Sequence, residues 1–182
     1  MYQVKVRFIA DYLQARISDK TKKEFTNPKG KKSQEGGEQN DKLQLEEFSY
    51  RDKKGYYIPA CHFKGALING GRQVKRKPRG SFSSLVRPLV WVEPDKIYLD
   101  IKEPVDRLIS YPKRSDGSRV RTVHPVILKT GSEIEFNVRN LADDDISKSA
   151  LESILEWAGK MYGIGGRHPD YGRFEVISLT EL

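Results

Sequence analysis

The chain has 182 residues, which is the length of one domain with a buried core, or of one domain with an insertion. Lysine and arginine outnumber aspartate and glutamate by 33 to 25, and the net charge of +8 favours an anionic partner, nucleic acid before a membrane surface. Cys61 is the single cysteine, which excludes an intrachain disulfide.

The first predicted element is a strand. Its apolar residues alternate with polar ones, as in a half-buried strand, at Tyr2, Val4, Val6 and Phe8. This start lacks the apolar core of a signal peptide, and no apolar run approaches the roughly 20 residues that cross a bilayer. We therefore expect a cytoplasmic protein without a membrane partner.

Residues 18–47 lose this alternation and are dominated by Lys, Glu, Asn, Gln, Gly and Ser. Such a segment buries too little apolar surface to offset the entropy lost on ordering. We expect a mobile polar insertion within a single domain spanning residues 1–182, rather than a linker between two domains.

The middle of the chain predicts one helix and several strands. Residues 56–59 form a short strand, and Pro59 opens a helix whose apolar positions include Phe63 and Leu67. The pair Gly70-Gly71 weakens this helix or ends it near Asn69. An apolar run (85–92) and an alternating segment (97–101) follow, and residues 123–128 and 134–138 predict a β-hairpin around Gly131.

The last helix is predicted from capping acids at 143–145 and from apolar residues four apart, at Ile146, Ala150, Ile154 and Ala158. A glycine-rich loop and a final strand at 176–177 follow. The element order is compatible with an α+β fold with a ferredoxin-like β-α-β-β-α-β core, the RNA-recognition type, plus the insertion and an extra β-hairpin. One face of such a sheet commonly binds RNA.

The glycine-rich loop (163–173) contains Gly163, Gly165, Gly166 and Gly172 together with Arg167 and Arg173. Glycine permits tight turns and close approach of a ligand to the backbone, and arginine offers a planar fork that suits phosphate. The pattern therefore fits either a sharp turn or a phosphate cradle. Because the loop follows a helix and not a strand, it does not match a dinucleotide-binding fingerprint.

A long basic region favours the nucleic-acid interpretation over a merely solvated face. Residues 53–92 contain no acid, and a second basic stretch runs from Arg107 to Arg121, broken only by Asp116. Positive charges that gather on one surface without acids between them suit contact with a phosphate backbone. Nearby aromatic residues either stack on unpaired bases or pack in the core, namely Tyr56, Tyr57, Phe82 and Tyr111.

The sequence gives little support for catalysis. The three histidines, His62, His124 and His168, lack metal-ligand spacing, so we expect neither a metal nor a cofactor. A metal-independent ribonuclease remains an alternative, with His62 as general acid or base and with Tyr57 and Lys64 as helpers.

Two segments resemble the RAMP superfamily, the RNA-binding subunits of CRISPR effector complexes. Residues 58–67 are similar to its "IPGSSLKGALR" segment, and residues 163–174 to its C-terminal glycine-rich loop. The first segment departs from the pattern, since Ala60-Cys61-His62 replaces Gly-Ser-Ser. The resemblance implies a ferredoxin-like core that binds the backbone of guide RNA, beside other protein subunits, mostly without cleaving it. One branch of the superfamily cleaves precursor guide RNA with a histidine.

We therefore expect, in order of preference, a guide-RNA-binding subunit of a CRISPR ribonucleoprotein, a repeat-processing endoribonuclease, or a stand-alone nucleic-acid-binding protein of a mobile element. The ligand in the first case is single-stranded or guide RNA. The candidate RNA-binding residues are Lys64, Gly65, Arg72, Lys75, Arg76, Lys77, Arg79, Arg114, Arg119, Arg121, Gly163, Gly165, Gly166, Arg167, Gly172 and Arg173.

Overall fold

A computed structural model describes residues 1–16, 38–76, 80–113, 117–119 and 121–182. The strands are β1 (Tyr2–Phe8), β2 (Tyr12–Leu13), β3 (Arg51–Asp52), β4 (Gly55–Pro59), β5 (Val90–Glu93), β6 (Lys96–Tyr98), β7 (Asp106–Ser110), β8 (Thr122–Leu128), β9 (Glu133–Asn140) and β10 (Phe174–Glu181). The helices are α1 (Glu38–Phe48), α2 (Ala60–Gln73), α3 (Ser83–Leu89) and α4 (Lys148–Trp157), which continues as a π-helical segment, Ala158–Tyr162.

The main sheet has the strand order β10-β1-β9-β5, and every neighbouring pair is antiparallel. Together with α2 and α4, these strands give the β-α-β-β-α-β order of a ferredoxin-like core, which confirms the predicted fold class. The helices cover one face, where the Phe63 ring of α2 lies 4.3 Å from Phe136 and 5.5 Å from Phe174. Two small sheets, β2-β8-β7 and β3-β4-β6, complete the structure.

The predicted β-hairpin is wrong, although both of its strands exist. β8 pairs with β2 and β7, whereas β9 pairs with β1 and β5 of the main sheet. The turn between them is bonded to the end of β1, since Phe8 N–H donates to Ser132 O and Gly131 N–H donates to Phe8 O. A period-two pattern identifies a strand but carries no information on its partner.

The helix α2 continues through Gly70 and Gly71 to Gln73, so it does not end near Asn69. A β-carbon at Gly70 would collide with the Ile154 carbonyl of α4. The glycine therefore permits close packing of two helices. The cap of α4 also differs from the prediction, because Ser147 Oγ accepts the Ala150 N–H while the acids 143–145 precede the helix.

The predicted mobile insertion needs correction over its last third. Residues 38–47 belong to α1, while residues 18–37 lie outside the described residues. Polar tertiary contacts anchor α1, since Gln44 Oε1 accepts the Val123 N–H and the Phe48 ring stacks on His124 with centroids 5.5 Å apart. Because these contacts replace an apolar stripe, hydrophobic periodicity did not indicate this helix.

Ion pairs lie on the open face of the main sheet around its central strand β1. Lys5 Nζ lies 3.1 Å from Glu133 and 3.5 Å from Glu135, and Arg7 pairs with Glu133 and Glu175. On an RNA-recognition sheet this face would carry exposed aromatic rings for stacking. Here its central cations are already neutralised. Among the described helices, none has the length and apolar character needed to span a membrane.

Candidate nucleic-acid interface

The glycine-rich loop joins the π-helical segment to β10 and uses left-handed backbone at several positions. φ is +67° at Gly163, +83° at Gly165, +71° at Gly172 and +58° at Arg167. A β-carbon at Gly172 would collide with the Ile164 carbonyl, and one at Gly165 would collide with Leu13. The glycines therefore allow one part of the protein to pack closely against another.

Three backbone N–H groups fasten the loop inside the protein. Gly166 N–H donates to Leu13 O at 2.9 Å, Gly172 N–H donates to Asp11 O at 2.9 Å, and Ile164 N–H donates to Gly172 O at 3.0 Å. The loop is thus fixed on β2 and the residues beside it.

We call Arg167 and His168 the loop tip; both side chains are exposed. All three histidines of the chain lie at or near this tip. Burial, and secondarily the charge of His168, lowers the pKa of His62 to about 4. Burial, and secondarily Arg167, lowers the pKa of His124. The two inner imidazoles are therefore neutral at pH 7, and the positive charge of this region comes from the surface arginines.

Arg167 and Arg173 have no carboxylate partner within the described part of the chain. Arg173 is exposed where the loop enters β10, and its carbonyl accepts the N–H groups of Ile9 and Ala10. The two guanidinium groups are thus carried on a rigid backbone and are free to bind an anion.

The basic tract, defined as residues 72–80, lies at the other end of α2. His62 and Arg72 are ten residues apart on α2, which places them about 15 Å apart along the helix axis. Arg72 and Lys75 are exposed, whereas Arg76 forms an ion pair with Asp145. The acids that are remote in sequence therefore meet the tract in space. Lys77 and Arg79 lie outside the described residues.

The second basic stretch is also partly neutralised. Asp41 of α1 is almost fully buried and binds Arg107 Nη1 at 3.0 Å and Arg121 Nη2 at 2.9 Å. The hydrogen bond from Arg121 lowers the pKa of the Asp41 carboxyl. Arg119 is exposed, and Arg114 lies outside the described residues. Arg107 and Arg121 thus anchor α1 through an ion pair with Asp41.

Lys64 and His62, two of the groups considered for catalysis, do not face one site. Lys64 Nζ donates to Val86 O at 2.6 Å and to Val90 O, at the C-terminal end of α3, and burial lowers its pKa. His62 is two residues away on α2 and points elsewhere, with Nδ1 bonded to Tyr12 Oη at 3.2 Å. Gly65 is exposed, with open space where a β-carbon would stand.

The aromatic residues divide between the two predicted alternatives. Tyr56 and Phe82 are buried in the core, whereas Tyr57 is half-buried and Tyr111 is exposed. Sequence reasoning missed the positions of Tyr50 and Tyr98, which lie beside Tyr57. The signal was present for Tyr98, because alternation along β6 buries Ile97 and turns its neighbours outward.

Comparison with known proteins gives the fold but no family. No protein-family model matches the sequence, and no curated protein matches it. A chain of a solved structure described as a "Type IV-B CRISPR Complex" is similar over 98% of this chain and 90% of that chain, with a TM-score of 0.50 and 13% sequence identity. At this identity the similarity shows a shared fold.

Proposed function

We propose that the protein binds single-stranded RNA through its phosphate backbone, as a guide-RNA-binding subunit of a CRISPR ribonucleoprotein. The observation that carries the proposal is the pair of exposed, unpartnered arginines, Arg167 and Arg173, on a loop that β2 holds rigid. Guanidinium groups held in place bind phosphate with little loss of side-chain entropy. The shared fold with a chain from a CRISPR complex supports the same assignment.

The double variant Arg167→Ala/Arg173→Ala tests the backbone contact. Binding of a labelled single-stranded RNA, followed by fluorescence anisotropy, should weaken by at least about 100-fold, since two charge-assisted hydrogen bonds contribute about 1.5–3 kcal/mol each. The slope of log K against log salt should fall in magnitude by about 1.4, roughly 0.7 for each lost phosphate contact on a single strand.

The control variant Lys102→Ala/Lys148→Ala removes the same charge from exposed positions outside the loop. It should leave both the affinity and the salt slope nearly unchanged. If the arginine variant bound RNA as tightly as the wild type, the glycine-rich loop would be only a turn, and the proposal would fail.

The RNA that copurifies with the protein from its native cells tests membership in a ribonucleoprotein. Crosslinking followed by sequencing should recover guide RNA with repeat-derived ends, together with other protein subunits. Recovery of unrelated transcripts and no subunits would instead identify a stand-alone RNA-binding protein.

A further inference from the structure

Four rings form a continuous row that runs from the half-buried His62, near the loop tip, to the exposed Tyr98. Tyr50 lies 5.2 Å from His62 and 6.0 Å from Tyr57, and Tyr57 lies 5.8 Å from Tyr98, measured between ring centroids. The interplanar angles are 57° to 81°, so the rings meet at edges and do not stack face to face. We define these four residues as the aromatic row.

The register of the small sheet explains why the row points outward. Tyr57 of β4 is the direct cross-strand partner of Tyr98 of β6. Their neighbours Tyr56, Ile58 and Ile97 occupy the opposite face and are buried, while Tyr98 is 41% exposed. Burial is thus supplied by the inner face of this sheet, and the outer tyrosines are not needed to complete the core.

Cations flank the row and fix its geometry. Lys96 Nζ lies 4.7 Å from the Tyr57 ring centroid, and Lys54 Nζ lies 5.8 Å from that of Tyr98. Asp52 accepts hydrogen bonds from Lys96 Nζ at 2.6 Å and from Tyr98 Oη at 2.9 Å. These bonds, led by that from Lys96, lower the Asp52 pKa to about 2, so the carboxylate holds both groups at neutral pH.

We propose that the aromatic row is a stacking platform for unpaired bases of single-stranded RNA. Half-exposed rings beside the exposed Lys54, which has no carboxylate partner among the described residues, combine a π-surface for bases with positive charge for the phosphates between them. The inference rests on the proposed function, because the row begins at His62, beside the loop tip that binds the backbone. It adds a second contact, to the bases, on a different sheet from the one that stacks bases in RNA-recognition folds.

The test compares two strands with equal numbers of phosphates, an oligouridine of about 12 nucleotides and an abasic strand of the same length. The wild type should bind the oligouridine about tenfold or more tightly than the abasic strand, since each stacked base contributes at least about fivefold and the row offers more than one ring. Tyr57→Ala/Tyr98→Ala should bring this ratio close to one while affinity for the abasic strand stays within about twofold. Tyr98→Phe keeps the ring and should preserve the ratio.

The abasic strand also reports whether each variant is folded, because an unfolded protein would lose affinity for both strands. Trp157→Ala removes an exposed ring on α4, outside the row, and should leave the ratio unchanged. Equal binding of the two strands by the wild type, or an unchanged ratio in the double tyrosine variant, would overturn the platform and leave the backbone contact standing. Failure of the wild type to bind either strand would instead refute the proposed function itself.

Discussion

The two ends of α2 have similar composition and different chemistry. At the C-terminal end, Arg76 of the basic tract meets Asp145 in an ion pair. At the N-terminal end, Arg167 and Arg173 have no carboxylate partner among the described residues. Among the described residues each end keeps two exposed cations without a carboxylate partner, Arg72 and Lys75 in the tract and Arg167 and Arg173 in the loop, but only the loop carries its pair on backbone that is bonded to β2. An anionic ligand is attracted by the charge that remains after internal ion pairing, and a count of cations in the sequence does not give this remaining charge.

The first prediction asks whether RNA binding by the arginines of the glycine-rich loop depends on the tightly packed glycines of that loop. Gly172→Ala places a β-carbon against the Ile164 carbonyl at a positive φ, and should lower the free energy of unfolding by about 3 kcal/mol. Chemical denaturation measures the loss, and RNA affinity should fall with it because the loop no longer holds its arginines. A fully stable Gly172→Ala protein would show that the loop is more plastic than its contacts indicate.

The matched control is Gly65→Ala, at the exposed start of α2. A β-carbon there meets open space, so the substitution should stabilise the protein by about 0.5–1 kcal/mol through helix propensity. A loss of stability in Gly172→Ala together with a gain in Gly65→Ala would show that the loop needs glycine for packing, and that added side chains do not destabilise the protein in general. A loss of RNA affinity in Gly65→Ala, with stability intact, would show close RNA approach at this position.

The second prediction converts paired cations into free ones. In Asp41→Asn, Arg107 and Arg121 lose their carboxylate, so we expect the melting temperature to fall by several degrees while RNA affinity rises about twofold. An unchanged or weaker RNA affinity in the folded variant would show that these arginines do not face the ligand.

The pH dependence of the same site has a defined sign. Since Arg121 lowers the Asp41 pKa in the folded protein, the ion pair stabilises the fold above about pH 4. That contribution disappears as the pH falls through the lowered folded-state pKa. The stability of Asp41→Asn should therefore converge with that of the wild type in acid, as measured by thermal melts across pH.

Local patterns predicted the core well and the tertiary pairing poorly. The alternation in β1 and the spacing of four in α4 identified both elements, because an element that buries one face has apolar residues at regular intervals in its sequence. The assignment of β8 and β9 to one hairpin failed, since partner choice depends on the whole sheet. α1 was missed because Asp41 anchors it through arginines 66 and 80 residues away.

The candidate site divides in the same way. The glycine pattern located the loop, and the conformation it predicted is present at Gly163, Gly165 and Gly172. What surrounds those glycines could not be read from spacing, because Leu13 and Ile164 come from elsewhere in the fold or loop. The same holds for Lys64, whose ammonium group binds carbonyls of Val86 and Val90.

The smallest predicted effect directly tests the comparison between the basic tract and the glycine-rich loop. Arg72→Ala/Lys75→Ala removes two exposed cations from the basic tract, which begins about 15 Å along α2 from His62. That distance is nearly two Debye lengths at physiological salt, so screening is strong and RNA affinity should fall less than about threefold. The salt slope should stay near that of the wild type. A loss of tenfold or more would mean that RNA runs the length of α2, and the basic tract would then join the loop as part of one continuous interface.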